Sequence, residues 1–443
     1  MSAERSIIVG LGVTGYSCLA HLHGRTPLLV VDTRAAPPFL EAAQRDFPDV
    51  EIICGAIDAD LLVDAARILV SPGIALDSCL LRKARAQGVP LESDIGLFLD
   101  SVDAPVIGIT GTNGKSTVTA LAGHLLSEIG AIAGVGGNIG HPALALLQTP
   151  CDRYVLELSS FQLERLGAQH LDVAVLLNVS PDHLDRYPDF DAYARSKQRI
   201  FVESRVAIFN RHDPRTVPPE ATRAQVSIGL DAPDEGHWGV CKQGGSAYLC
   251  YGRERLISVD RLRLRGRHNQ LNALAALAIV RASGFDAMAS LDALAAFEGL
   301  EHRCQTVVEY DGVTYVNDSK ATNPGAAVAA LDGLAEERPH ILLIAGGDAK
   351  GASLDALGRA VSGRVKHALL LGRDADRLAD VLSPAVAVTR VEDLREAVQI
   401  ARREAVAGDV VLLSPACASL DMFDNFEARG RTFVMEVRRE LGL

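Results

Sequence analysis

The sequence predicts an α/β protein of three units built around largely parallel sheets. Three observations predict it. Short apolar runs alternate with helical patterns along the whole chain, as parallel strands joined through helices require. Two glycine-rich turns, GLGVTG (Gly10 to Gly15) and GTNGKST (Gly111 to Thr117), each stand between a strand candidate and a helix candidate. The 443 residues suffice for three domains at about 150 residues each.

In the first unit, 1–93, SIIVG, PLLVVD, VEIICG and ARILVSPG read as buried strands and VPLES as a shorter one. SCLAHLH and DSCLLRKARAQG read as helices between them. The second unit, 94–299, has APVIGIT, RYVLELS, VAVLLNVS and RVAIFN as strands and NQLNALAALAIVRASG as a long helix. Within it, residues 215–260 are rich in Pro and Gly with short β-like pieces, and read as a small hairpin region or an excursion. The third unit, 300–443, has VTYVNDS, HILLIAGG, HALLLG and VVLLSPA as strands, with helices such as DLREAVQIARREA between.

A net charge of −12 argues against nucleic acid as a partner. The eight cysteines form no C-x-x-C pair and no zinc spacing, which suits a reducing compartment. The start, MSAERSIIVG, runs straight into a strand with no signal peptide. No apolar run reaches the roughly 18 residues of a membrane helix. The expectation is a cytoplasmic protein without membrane insertion.

GLGVTG follows a strand, and Asp32 ends the next one. That is the dinucleotide fingerprint, with an acid placed for a ribose hydroxyl. A tight turn needed for packing, or a phosphate site of another kind, fits equally. GTNGKST is a phosphate loop in which Ile109 replaces the first glycine of the strict pattern. Gly111, Thr112, Asn113 and Gly114 form the turn, and Lys115, Ser116 and Thr117 start the helix. Backbone N–H groups there cradle phosphates, the lysine neutralises them, and a hydroxyl holds Mg²⁺. A motor, a switch, a kinase or a ligase would all open this way.

GTNGKST, LELSSFQL, NVSPDHLDRY, RGRHNQLNALAA, EHR and NDSKATNP occur in the order seen in the Mur ligases, which the chain resembles over essentially its whole length. These are cytoplasmic ATP-dependent amide ligases of peptidoglycan precursor synthesis, and so of cell shape and division. SPGIAL, GVGGNIG and LLSPACASLDMFDNFEARG look most like the branch that adds D-glutamate to UDP-N-acetylmuramoyl-L-alanine. The resemblance implies a Rossmann-like N-terminal domain, a central P-loop ATPase-like parallel-sheet domain and a Rossmann-like C-terminal domain, in a monomer. Sister ligases, a folylpolyglutamate synthetase, an NAD-dependent oxidoreductase and a non-catalytic ATP-binding scaffold are the competing readings.

Activating a carboxylate with ATP and displacing the phosphate with an amine needs crowded anions neutralised and an amine held close. Lys115 and the amides of Asn113, Gly114 and Lys115 would hold the terminal phosphates. Ser116 would ligate Mg²⁺, and Glu157, after the strand YVLEL, reads as a second ligand of it. By resemblance His183 holds a second Mg²⁺, helped by Lys197 carrying a CO₂-derived carbamate; by pattern alone Lys197 is a solvated helix lysine. Asn269 and Asn272 share a helix face and would reach the purine or the phosphates, with helix capping the plainer reading for Asn269. Arg303 and Lys320 would meet phosphate and Asp318 the ribose. Thr14, Asp32, Thr33 and Arg34 would face the uracil and diphosphate of the sugar nucleotide, with Ser71, Gly73 and Asn138 completing the cradle. Lys350, Thr322, Ser419 and the backbone at Leu420 would take the carboxylates of D-glutamate, and Phe426 would wall the pocket. Sites spread over three units imply that the third swings toward the phosphate loop.

Overall fold

The computed structural model describes residues 5–167, 170–183, 186–219, 224–264, 266–336 and 338–443. Its strands form three sheets. The first contains β1 (Ser6–Val9), β2 (Leu28–Asp32), β3 (Glu51–Cys54), β4 (Arg67–Val70) and β5 (Leu91–Glu92), all parallel in the order β3-β2-β1-β4-β5. The strand order reverses at β1, beside the turn that carries GLGVTG, as in doubly wound nucleotide-binding sheets.

The central sheet has nine strands. They are β6 (Val106–Thr110), β7 (Ala133–Gly137), β8 (Arg153–Glu157), β9 (Leu171–Leu176), β10 (Ser204–Asn210), β11 (Ala224–Ile228), β12 (Trp238–Gln243), β13 (Ser246–Tyr251) and β14 (Glu254–Ser258). The order is β14-β13-β12-β11-β10-β9-β6-β8-β7. The hairpin reading of residues 215–260 holds among the described residues, but the hairpins continue the central sheet and are not an excursion from it. β11 adds in parallel to β10, and β12 to β14 continue as an antiparallel meander. The short β-like pieces are sheet because each finds a neighbour's backbone, and Trp238, 2% exposed, anchors them to the core.

The third sheet contains β15 (Gln305–Tyr310), β16 (Val313–Asn317), β17 (Ile341–Gly346), β18 (Val365–Leu371), β19 (Ala387–Arg390) and β20 (Val410–Leu413), ordered β15-β16-β20-β17-β18-β19. Only β15 is antiparallel to its neighbour. The inner strands VIGIT and ILLIAG are buried at every position. Helices cover both faces of these sheets, so the strands read as continuous apolar runs.

The three domains join differently. One apolar cluster runs from Ile8, Leu11 and Phe98 into Tyr154, Leu156 and Ala174, so the N-terminal and central domains share a core. The Phe98 and Tyr154 rings meet edge to face, their centroids 5.1 Å apart. Buried Arg165 adds a link, its guanidinium donating to the carbonyls of Phe161 and Ile74. The C-terminal sheet has two clusters of its own, and among the described residues neither includes a residue of the other two domains.

The helix Val13–Leu22 starts so close to β1 that a Cβ on Gly15 would lie 1.8 Å from the Gly10 carbonyl oxygen. A Cβ on Gly12 would meet nothing within 4 Å. Gly15→Ala is expected to cost about 1–3 kcal/mol of stability by overpacking, and Gly12→Ala to stay within about 0.5 kcal/mol of the parent. Denaturant unfolding midpoints of the two variants check this.

Candidate active site

β6 ends in the phosphate loop, and Gly114 caps the helix Lys115–Glu128. Gly114 sits at φ +85°, and a Cβ there would lie 2.6 Å from Asn272 Oδ1, so both conformation and space demand glycine. The loop after β9 clamps this turn. Asn178 Oδ1 accepts from Asn113 N–H at 2.9 Å, Asn178 Nδ2 donates to Asn113 O at 2.9 Å, and Thr112 N–H donates to Asn178 O at 2.9 Å. The Asn113 amide expected to hold phosphate is thus already engaged. The helix's first-turn N–H groups, which have no intrahelical acceptor, remain for the ligand. Asn178 lies inside a motif quoted from the sequence, but only the fold shows that its side chain faces the loop.

Lys115 Nζ donates to the carbonyls of Gly111 and Thr112 at 3.0 and 2.9 Å. Lys197, on the helix Phe190–Gln198, donates to the same Gly111 carbonyl at 2.8 Å. It is 2% exposed, so the solvated reading of this lysine fails. Burial, and then the Lys115 charge, push the Lys197 ammonium well below its usual range. Burial lowers Lys115 as well.

Ser116 Oγ donates to Glu157 Oε2 at 2.5 Å and accepts from Arg303 Nη2 at 2.5 Å. Asn138 Nδ2 donates to Glu157 Oε1 at 2.8 Å, and the Asn138 N–H to the Glu157 carbonyl at 2.8 Å. The structure therefore joins Asn138 to the phosphate-loop group. Burial raises the Glu157 carboxyl, but Lys115 and the hydrogen bonds from Ser116 and Asn138 outweigh it and hold the group below its usual range. Its arginine neighbour, Arg303, comes from another domain and bonds Ser116. Among the described residues no three His, Cys, Asp or Glu side chains converge on a point. A hydroxyl and one carboxylate oxygen fit Mg²⁺, which takes the rest of its shell from phosphate and water.

His183 stands at φ +54° after β9, its ring edge-on to Phe161 with centroids 5.0 Å apart. The Tyr193 ring neighbours both expected second-site residues, its centroid 6.4 Å from that of His183 and 4.8 Å from Lys197 Nζ. Burial lowers His183, Asp182 opposes this, and the charges of Lys350, Lys197 and Lys115 lower it further. Lys350 of the C-terminal domain therefore faces this corner.

A cavity of about 130 Å³ opens between the central and C-terminal domains. Asn113, Gly114, Thr117, Asn269, Asn272, Arg303, Asp318 and Lys320 line it, as expected of nucleotide-binding residues. Its apolar wall is Leu264, Leu271, Ala326, Ala329 and Ala330, which fits an aromatic base. These alanines and Cys304 went unnoticed in the sequence because they carry no distinctive chemistry. Asn269 is the third residue of the helix Arg267–Ala282, whose cap is Gly266, so it is not a capping residue. It accepts from Asn272 Nδ2 at 2.9 Å. Asp318 accepts from Cys304 N–H at 3.1 Å and Ser414 Oγ at 2.8 Å, and burial pushes its carboxyl up to about 6.

Lys320 Nζ lies 3.8 Å from the centre of the Phe426 ring, at the start of the helix Phe426–Leu441. Asp348 and Ala418 pair as a β-bridge, which sets the Lys350 turn beside Ser419 and Leu420. Ser419 is buried, Leu420 is exposed, and Thr322 N–H folds back onto the Lys320 carbonyl at 2.7 Å. In the N-terminal domain Asp32 accepts from Leu11 N–H at 2.6 Å and from Arg34 Nε and Nη2 at 2.9 and 2.6 Å. Both carboxylate oxygens are engaged, which disfavours the ribose role of a dinucleotide acid. Thr14 lies in the first turn of its helix, and Thr33 and Arg34 are exposed at the end of β2. Ser71 Oγ donates to the Gly10 carbonyl at 3.0 Å, and Arg186 Nη1 donates to the Gly73 carbonyl at 3.4 Å.

Family models match in three segments. They are the Mur ligase MurD-like N-terminal domain over 4–93, the Mur ligase middle domain over 109–280, and the Mur ligase glutamate ligase domain over 302–417. The UDP-N-acetylmuramoylalanine--D-glutamate ligase of Pseudomonas savastanoi is 48% identical over 434 residues, 97% of each chain. The enzyme of the same name from Nitrosococcus oceani is 46% identical over 444 residues, 99% of this chain and 97% of its own. Two solved structures from Thermotoga maritima share the fold at low identity. A UDP-N-acetylmuramate-alanine ligase has a TM-score of 0.61 at 19% identity, covering 98% of this chain and 99% of its own. A MurF ligase in complex with ADP has 0.62 at 17%, covering 99% and 98%.

Burial, with Arg303 nearby, lowers the Lys320 ammonium to about 8. The protonated form is the one that attracts phosphate, so ATP affinity is expected to fall as pH rises through about 8. Lys320→Arg, which stays charged, should flatten that limb. Calorimetric titration of ATP from pH 7 to 9 reads both.

Proposed function

The chain belongs to the Mur ligase family and is an ATP-dependent amide-forming ligase; from this premise we infer that it joins D-glutamate to UDP-N-acetylmuramoyl-L-alanine in peptidoglycan precursor synthesis, in the cytoplasm and as a monomer. The observation that carries the reading is the Arg303–Ser116–Glu157 chain. It ties the C-terminal domain to the phosphate loop beside the cavity that Asn269, Asn272, Asp318 and Lys320 line. The identity to D-glutamate ligases over nearly the whole chain selects the substrate pair.

ATP would lie with its base against the alanines of the helix Pro324–Gly333 and its phosphates at Gly114 and Lys115. The alanyl carboxylate attacks the γ-phosphorus, and ADP leaves. The product is an acyl phosphate, a carboxylate made electrophilic. The D-glutamate amine adds to its carbonyl carbon, the tetrahedral intermediate expels phosphate, and the amine loses a proton. Lys115, Arg303 and Lys320 stabilise the charge passed among the phosphate oxygens. Lys350, Thr322, Ser419 and the Leu420 backbone would hold the glutamate carboxylates, with Phe426 as wall. The N-terminal set from Thr14 to Gly73 would hold the UDP end, with Asn138 at the alanyl end beside Glu157. Mg²⁺ held by Ser116 and Glu157, and a second ion at His183 and carbamylated Lys197, would polarise phosphate and carboxylate oxygens.

Lys197 suits carbamylation. Its buried amine is held well below the usual lysine range, so the neutral form is available to add to CO₂ and release a proton. With ¹³C-bicarbonate, the parent protein is expected to show a carbamate carbon resonance that Lys197→Ala lacks, and the variant's turnover should fall by about 100-fold or more. A parent spectrum without that resonance refutes the modification.

Phosphate release from ATP and Mg²⁺ with UDP-N-acetylmuramoyl-L-alanine tests the substrate. D-Glu alone should support it, against L-Glu, L-Ala, L-Lys and meso-diaminopimelate. Release with a different amino acid moves the protein to a sister activity, and release with none removes the ligase reading.

A further inference from the structure

The C-terminal helix Pro324–Gly333 points its first turn at the phosphate loop. Its cap, Asn323, is 7% exposed. One carboxamide there does two jobs. Its oxygen accepts from Ala326 N–H at 2.9 Å and starts the helix. Its nitrogen donates to Asn113 Oδ1 at 3.3 Å and to Asp182 Oδ2 at 3.2 Å. Asn113 belongs to the phosphate loop, and Asp182 immediately precedes His183. The approach is close on a second count: a Cβ on Gly325 would lie 3.4 Å from Ser180 Oγ and 3.7 Å from Asn113 Nδ2. The same helix supplies Ala326, Ala329 and Ala330 to the nucleotide cavity.

We propose that Asn323 is a positioning residue that latches the C-terminal domain onto the phosphate loop, so that nucleotide binding and amino-acid placement are aligned through Asn113 and Asp182. The contact joins two domains that share no apolar cluster among the described residues. A few polar contacts of this kind must therefore fix how Arg303, Lys320 and the amino-acid pocket sit over the phosphates. The proposal rests on the ligase reading for its amino-acid half; its nucleotide half needs only ATP.

The two jobs of Asn323 separate by substitution. Asn323→Asp and Asn323→Ser keep a good helix cap. Aspartate has no N–H to give Asn113 or Asp182, and serine is too short to span both. Asn323→Ala loses cap and latch together. The readouts are thermal midpoint, ATP affinity by calorimetry, and turnover with the amino acid the parent uses. A latch predicts a near-parental midpoint for the Ser variant, with ATP binding and kcat/KM each weakened about tenfold, as loss of one or two hydrogen bonds gives. A mere cap predicts that the Ser variant matches the parent in all three readouts and that Asn323→Ala falls; the Asp variant, whose carboxylate would face Asp182 Oδ2, weakens ATP binding under either role and serves only to show that the two sites touch. A double-mutant cycle of Asn323→Ser with Asn113→Ala decides further. Losses in ATP affinity that are less than additive support the latch, and strictly additive losses overturn it. Parental turnover with D-Glu judges the substrate reading separately, because the ATP affinities rank the variants whatever the amino acid.

Discussion

Positive charge gathered below its solvation needs is the constraint on which the site is built. Lys115 and Lys197 both donate to the Gly111 carbonyl, Arg303 reaches Ser116, and Lys320 lines the same cavity. Burial lowers all four of these cations. Glu157 is the anion that acts on all four, with Asp182 facing the two loop-bound lysines and Asp318 facing Arg303. Buried charge without a partner is costly, so the arrangement is complete only with a ligand that is itself multiply anionic and rich in oxygens. The surrounding elements serve that end. β6 lies between β9 and β8, which places its loop in the crevice where the strand order turns. Gly114 bends there as only glycine can, and Asn178 fixes the turn through both backbone groups of Asn113.

The junctions between domains follow from what each must do. The continuous core from Ile8 to Tyr154 joins the N-terminal domain to the central one, so a sugar nucleotide held there would present its carboxylate at a fixed place. The C-terminal domain would have to admit an amino acid and release a product. It meets the central domain through the hydrogen bonds of Arg303 and Asn323 and through Gly333, which lies against Gly266 and His268, with no apolar cluster shared among the described residues.

Strand and helix alternation made the three sheets legible, because parallel strands buried on both faces leave unbroken apolar runs such as ILLIAG. The meander β12 to β14 was less legible, since edge strands such as WGVCKQ mix polar and apolar residues and need their neighbours to become sheet. At the site, Lys115, Ser116 and Glu157 were readable from spacing and position. Lys197 by pattern was one helix charge among several; its burial depends on where Gly111 falls, which no local window contains. Asn178 and Asn323 were hidden for a different reason. Asparagine is common in loops and caps, and its use here depends on a partner 65 residues away in one case and 210 in the other.

GLGVTG shows how far a motif constrains function. The turn needs Gly15 because the helix backs onto the Gly10 carbonyl, a demand of packing that any nucleotide-binding sheet of this order shares. The helix start would favour a diphosphate whether it came from a dinucleotide or a sugar nucleotide. What separates the two is the acid at the end of β2. An Asp32 reading a ribose would need a free oxygen. Here Leu11 N–H and the Arg34 guanidinium take both, and the arginine, half exposed at 52%, would be the group presented to a ligand. A cationic, planar edge suits the carbonyls of a uracil better than the hydroxyls of a ribose. The same glycines would therefore serve a different ligand, because the neighbouring carboxylate supports an arginine instead of facing the ligand itself.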